Sequence, residues 1–299
     1  MPFLGELIAL VTVLCWTVSV QFFEAASRQI GATSVNIIRI STALILFSAY
    51  MTIQHGTPLP LDIPARSWAL LSLSGIIGFF LGDLCLFNAL VETGPRIALL
   101  LFSLSAPMAA VIGWSCLDET YTPLQWGGIL VTLAGVGLVI LEKNPESNQR
   151  KVSPKGLLFG LGAMLGQAVG YILSKSGMIT ADGFVPAFPA TQVRALAAFA
   201  CFLVFFTLTR KWGMVRQALT CRKAVAQTAV GAVVGPFIGV SLSLLTLQYL
   251  TTGVASTFLS LTPVAIIPFS IFYYKETVTL RAILGALIAV AGIGLLMIP

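Results

Sequence analysis

The chain has 299 residues, 57% of them hydrophobic and only 9% charged, with a mean hydropathy of +0.96 and a formal net charge of +6. A water-soluble domain carries about a quarter charged residues, so this composition excludes one and describes a chain solvated by lipid. Five cysteines (Cys15, Cys85, Cys116, Cys201 and Cys221) fall mostly in apolar runs, without CxxC or His-containing ligand spacing. They read as small hydrophobes, and neither a disulfide, a metal nor any other cofactor is expected.

A bilayer core needs about 20 apolar residues per helix, and Gly, Pro and charge divide this chain into ten such segments. They fall near residues 4–24, 33–53, 67–91, 95–117, 123–141, 156–178, 186–209, 225–250, 252–272 and 279–298. The first segment precedes the first basic residue, Arg28, so it lacks the charged start of a signal peptide and is expected to remain as a membrane helix. The longest connections are residues 54–66, the polar linker 142–155 and the basic loop 210–224.

The linker separates two halves of five segments, residues 1–141 and 156–299, which repeat each other. "DETYTPLQWGGILVTLAGVGLVI" reappears as "KETVTLRAILGALIAVAGIGLLM", placing Glu119 on Glu276, Thr122 on Thr279, Gly128 on Gly285 and Gly135 on Gly292. Upstream, "FSLSAP" matches "FLSLTP" (Pro107 on Pro263), and "NIIRISTALIL" matches "TQVRALAAFAC" (Arg39 on Arg194). Five is odd, so the second half enters the bilayer from the opposite face. The fold class expected is therefore an all-α integral membrane protein, ten transmembrane helices arranged as two inverted repeats around a central cavity.

These residues carry a family pattern: an aromatic in the first segment (Trp16), an arginine early in the second (Arg39) and a Gly-rich third ending in "FNAL". A proline-bearing fourth, then "DET", then a Gly-rich fifth complete it. The chain resembles the drug/metabolite transporter superfamily, specifically EamA-type ten-helix transporters with two EamA domains, over essentially its whole length. The second half departs from the pattern at Gln167, opposite Trp16, and at Thr246 to Leu250. The resemblance implies translocation of small metabolites or drugs.

Both termini share one face. The other carries Arg28, Arg96, Lys143, Arg150, Lys151, Lys155, Arg210, Lys211, Arg216, Arg222, Lys223, Lys275 and Arg281, against Arg66 and Lys175 on the termini face. The positive-inside rule makes the basic face cytoplasmic and puts both termini outside, in what is expected to be a bacterial inner membrane. The net charge is thus a topology signal, and no nucleic-acid partner is expected.

A charge near the bilayer centre costs about 2.5 to 3.5 kcal/mol, so it persists where it faces protein or a water-filled path. Asp83 lies about four residues, roughly 6 Å, from the middle of its segment, on the same side as Arg39. Two readings stand: buried scaffolding with Arg39, or a cavity group that contacts a cation or takes up a coupling proton. The repeat puts Val240 or Gly239 opposite Asp83, so the aspartate belongs to one half only, whereas Arg194 repeats the arginine. The other candidate contacts are Trp16, Ser19, Asn88, Gln167, Tyr171, Ser243 and Gln248, which mix aromatic faces with neutral hydrogen-bonding groups. Glu24 and Lys175 occupy equivalent positions and read as snorkelling to headgroups. Pro107 and Pro263 break helices at matched places and are the candidate gates. Glu119 and Glu276 stand just before helix starts, where a carboxylate is stabilising without a transport role.

The expected function is secondary active transport by alternating access, exporting small metabolites, amino-acid-like compounds or drugs, with proton coupling left open. The partners are a small-molecule substrate and the bilayer, the chain acting as a monomer or homodimer. No P-loop is present, so the chain does not hydrolyse ATP itself. A lipid or lipid-carrier flippase is the alternative. A membrane-embedded enzyme needs an acid and histidine cluster that one histidine, His55, does not supply, and a fixed channel fits the broken helices poorly.

Overall fold

The computed structural model describes residues 3–93, 95–141, 153–272 and 279–298. Ten helical spans follow the expected order: Leu4–Ile30, Ala32–His55, Ala65–Thr93, Pro95–Ser103 with Ser105–Cys116, Pro123–Ile140, Pro154–Met178, Ala187–Leu208, Arg222–Tyr249, Thr252–Leu259 with Thr262–Phe272, and Leu280–Leu296. They are called spans 1 to 10 below. Eight are long and apolar enough to cross a membrane, and the last two are shorter apolar helices. Span 1 runs six residues past its expected end, because Glu24 and Arg28 pair four residues apart on an added, exposed turn. Glu24 thus answers to its own helix.

Two small elements were not legible in the sequence. The basic loop contains a helix, Trp212–Thr220, whose three-residue spacing buries Val215 and Ala218 and sets Trp212 against Phe206. Its charges masked that spacing. A two-residue hairpin, Ile179–Thr180 with Gly183–Phe184, turns the chain between spans 6 and 7, using Gly183 at φ 122°.

Spans 4 and 9 are broken at Leu104 and at Ser260–Leu261, three and two residues before Pro107 and Pro263. Proline lacks an N–H and its ring crowds the carbonyl four residues back. In span 9 the carbonyl so released, that of Leu259, accepts a bond from the Thr262 hydroxyl at 3.0 Å. The matched prolines therefore produce matched interruptions, as the repeat led one to expect.

Spans 3 and 8 contain a second matched irregularity, a wide π-helical turn at Gly75–Gly82 and at Val233–Gly239. Pro236 inside the latter removes one α-helical bond, and widening the turn relieves the clash. Each wide turn packs its small residues on a partner helix. Gly239, Gly235 and Gly231 lie against Trp16, Ser19 and Phe23 of span 1, while Gly82 and Gly78 lie against Gly166 and Gly170 of span 6. Ser74 and Ser174 close the latter row with hydroxyls 2.7 Å apart. These rows share one register, so Gly239 answers to Gly82 and the residue opposite Asp83 is Val240.

The glycines of spans 5 and 10 join the two halves within one chain. A Cβ on Gly128 would stand 2.9 Å from Leu296, and one on Gly285 would stand 2.8 Å from the Gly135 carbonyl. Gly135 packs in turn on Ala289 and Gly285, and Gly292 on Thr132 and Gly128. Each position meets its partner's counterpart, the reciprocity of a two-fold interface.

On the termini face a buried cluster ties span 6, the 117–122 turn and the start of span 9 together. The turn bends at Asp118, whose φ of 52° is tolerated by a short polar residue. Glu119 then accepts from Lys175 Nζ at 2.7 Å, Tyr121 Oη at 2.6 Å, the Thr252 hydroxyl at 2.8 Å and the Thr252 N–H at 2.8 and 2.9 Å. Lys175 also donates to the Leu250 carbonyl at 2.7 Å. Lys175 is therefore not snorkelling to headgroups, because its charge is held inside this cluster. Glu119 does serve a helix N-terminus, but that of span 9, whose own N-cap residue Thr251 makes no side-chain bond. Span 5 is started by Thr122, Pro123 and Gln125 in a capping box. Glu276 lies outside the described residues. Burial alone would raise the Glu119 pKa, but the bonds from Lys175, Tyr121 and Thr252 and the lysine charge outweigh it and hold it below the ordinary glutamate value. Burial and the bond to that carboxylate push the Tyr121 phenol up.

Gly285→Leu must displace backbone and should cost more than the about 1 to 3 kcal/mol of ordinary overpacking, whereas Gly127→Leu and Gly294→Leu enter open space and should leave the melting temperature in detergent unchanged. The Glu119 contribution is complete above the ordinary glutamate pKa and is lost as pH falls through the lower native value. Wild-type melting temperature should therefore drop at acid pH more steeply than that of Glu119→Gln. Glu119→Ala, which strands the Lys175 charge, should cost about 3 to 5 kcal/mol.

Candidate functional site

Between the halves lies a cavity of about 340 Å³. Its wall is drawn from spans 1, 2, 3 and 4 of the first half and 6, 7, 8 and 9 of the second, while spans 5 and 10 stand behind it as the joint. Both sets of interruptions open onto it. Asp83 and Val240, the first residues after the wide turns, line it, as do Ser103 and Ser105 at the span 4 break and Ser260, Thr262 and Pro263 at the span 9 break.

Of the residues singled out in the sequence, Trp16, Ser19, Arg39, Asp83, Gln167, Tyr171, Arg194 and Ser243 meet at this cavity, together with Pro263. Asn88 does not: it is exposed and donates to the Leu84 carbonyl of its own helix at 2.7 Å. Gln248 is spent on structure, donating to the Val185 carbonyl at 3.0 Å and so tying span 8 to the entrance of span 7. Pro107 shapes span 4 from outside the lining. The residues missed were chiefly serines and phenylalanines, Ser103, Ser105, Ser256, Phe79 and Phe102. Their types are common in membrane helices, and only nearness to the proline breaks could have pointed to the serines.

Asp83 is paired with Arg39, and the pair lines the cavity, the two side chains 24% and 21% exposed. Arg39 also lies over the Phe23 ring at 5.6 Å. On the same lining Arg194 is 1% exposed, seated with its backbone against Gly75 and its guanidinium over the Phe79 ring at 4.4 Å, one helical turn from Asp83 along span 3. Its Nε and Nη1 are buried without a hydrogen-bond partner, and no described carboxylate stands within ion-pairing distance. Phe79 is where the first half has an aromatic in place of Pro236, so the wide turn of span 3 also supplies the surface on which this arginine rests. The site combines an Arg39–Asp83 ion pair, a neighbouring cation that makes no ion pair with a described acid, and aromatic walls.

Comparison with known proteins agrees with this architecture. No curated protein matches the chain significantly. A crystal structure described only as that of a protein superposes with a TM-score of 0.73, covering 98% of this chain and 96% of the other at 16% identity, a likeness of fold alone. The EamA-like transporter family matches twice, over residues 3–141 and 154–298, one copy in each five-span half. With the helices, the repeat and the family in agreement, the chain belongs to the EamA-like transporter family and is a multi-pass membrane protein of the drug/metabolite transporter type.

Proposed function

We propose that the chain is a secondary active transporter that exports a small metabolite, amino-acid-like compound or drug by alternating access through the central cavity. The observation that carries this reading is the pairing of one cavity, walled by both halves, with matched helix interruptions in spans 3 and 8 and in spans 4 and 9. Such interruptions are where inverted-repeat carriers bind and bend. A volume of about 340 Å³ is at the small end of ligand pockets and suits a compact solute better than a whole lipid.

The distribution of exposure supports an assignment of state. Arg39 and Asp83, nearer the basic face, are partly accessible, whereas Arg194, Tyr171 and Ser243, nearer the termini face, are buried. Beyond them the Glu119 cluster fastens spans 6 and 9 and the 117–122 turn. The conformation is thus one closed at the termini face, and the opposite state requires the Glu119 bonds to part. With the basic face cytoplasmic, the substrate enters from the cytoplasm and leaves when that cluster opens.

Asp83 is the group suited to couple a proton to this cycle, because protonation removes the charge that holds Arg39 and releases the guanidinium. In proteoliposomes holding the purified chain, efflux across a metabolite and drug panel should respond to an imposed pH gradient. Asp83→Asn should remove that response by at least about tenfold in rate while the protein still purifies as a monodisperse species. An unchanged gradient response in the variant would assign Asp83 to scaffolding.

A further inference from the structure

The cavity carries an imbalance of charge. Arg39 and Asp83 cancel, and Arg194 is left as one buried positive charge whose Nε and Nη1 lack an acceptor. Asp83, engaged by Arg39, reaches Arg194 only through its field. The guanidinium has five donors, is always protonated and cannot neutralise itself by giving up a proton. Cation–π contact with Phe79 compensates only part of the cost of such a group. The buried Ser256 hydroxyl on the same lining is also without a partner, and the Tyr171 hydroxyl, beside the Gln167 and Ser243 side chains, makes no hydrogen bond of regular geometry. Unpaired buried donors are costly, and several converging on one cavity are the signature of a site missing its acceptor. The rest of the wall is apolar and largely aromatic, with Trp16, Phe23, Phe79 and Phe102.

We infer that the part of the cavity around Arg194 is the subsite for the single negative charge of an apolar-bodied carboxylate, which accepts from Arg194 and the Tyr171 and Ser256 hydroxyls while its body lies on the aromatic wall. This rests on the transporter reading and names its substrate class. One carboxylate brings the cavity to neutrality, which a cation or a neutral solute does not, and a planar carboxylate matches the guanidinium fork. The engagement of Asp83, the acid in electrostatic reach, by Arg39 is then a requirement of the site, because a free acid there would compete with the substrate. In this arrangement the loaded cavity is electrically neutral when it crosses between states, so substrate occupancy removes the electrostatic cost of closure.

The test uses the full-length protein in neutral detergent and isothermal titration with matched probes: benzoate, phenylpropionate and naphthoate, each against its primary amide and its amine analogue. At least one acid should bind about tenfold or more tightly than its own amide, with the amine weakest. Arg194→Gln should remove the acid's advantage without weakening the amide, and Arg194→Lys should return part of it. Should Arg194→Gln fail to fold, the acid-to-amide ratio in the wild type and its reduction in Tyr171→Phe still decide the question. Equal binding of acid and amide, preference for the amine, failure of every acid to bind, or an unchanged acid affinity in Arg194→Gln would overturn the inference. Displacement of the acid by dispersed anionic phospholipid, but not by excess free acid of shorter body, would overturn it in favour of a lipid headgroup. The two readings fail separately: transport of amines or neutral compounds without acid preference removes the carboxylate subsite and keeps the transporter, whereas acid binding without any flux in proteoliposomes does the reverse.

Discussion

One constraint organises the backbone and the buried charges: in lipid, a charge or backbone polar group left without a partner is costly, so the protein itself supplies one. The backbone meets it with helices, and where prolines remove a bond the chain supplies a substitute, such as the Thr262 hydroxyl on the Leu259 carbonyl. The charges meet it by pairing, Asp83 with Arg39 and Glu119 with Lys175. Among the described buried charges, Arg194 makes no ion pair, and it lines the cavity. A soluble protein could leave such a group to water. In the carboxylate subsite we propose, a bound ligand takes the place of that water.

The second organising fact is that glycine lets helices approach closely where apolar burial drives little association, since lipid is as apolar as leucine. The same device is used for two purposes. Along spans 5 and 10, Gly128, Gly135, Gly285 and Gly292 make a reciprocal seam that holds the halves together. Along spans 3 and 8 the glycines accompany π-helical turns and receive spans 6 and 1 at the cavity wall. The first seam is made of regular helix on regular helix, which resists deformation. The second is made of widened turns, which can shift with little loss of bonding. A fixed joint behind the cavity and pliable contacts around it are what rocking of two halves requires.

Much of this was legible in the sequence, and the reasons differ by element. The ten spans, the inverted repeat and the matched prolines were visible because apolar length, duplication and Pro are local signals. The partnership of Arg39 with Asp83 could be anticipated from depth and helix direction. Other features depend on which face of a helix meets which neighbour, and periodicity does not report that in a chain apolar on every face. So Asn88, which bonds to its own helix, and Gln248, which holds the span 7 entrance, could not be told from cavity residues. For the same reason Lys175 read as a headgroup contact, although it belongs to the Glu119 cluster, a junction of segments 56 and 75 residues away in sequence. The wide turns left no signal beyond the glycines and Pro236.

In the alternating-access cycle we propose, the cavity is exposed to one face at a time and the Glu119 cluster closes the termini face. Ser256→Cys on a background without the native cysteines, labelled by a membrane-impermeant thiol reagent from each side of sealed vesicles with and without Glu119→Gln, reads that closure. Loosening the cluster should raise the labelling rate from the termini face and lower it from the basic face, because the two openings exclude each other. Rates that rise together from both faces, or that ignore Glu119→Gln, would show that the Glu119 cluster does not close the termini face.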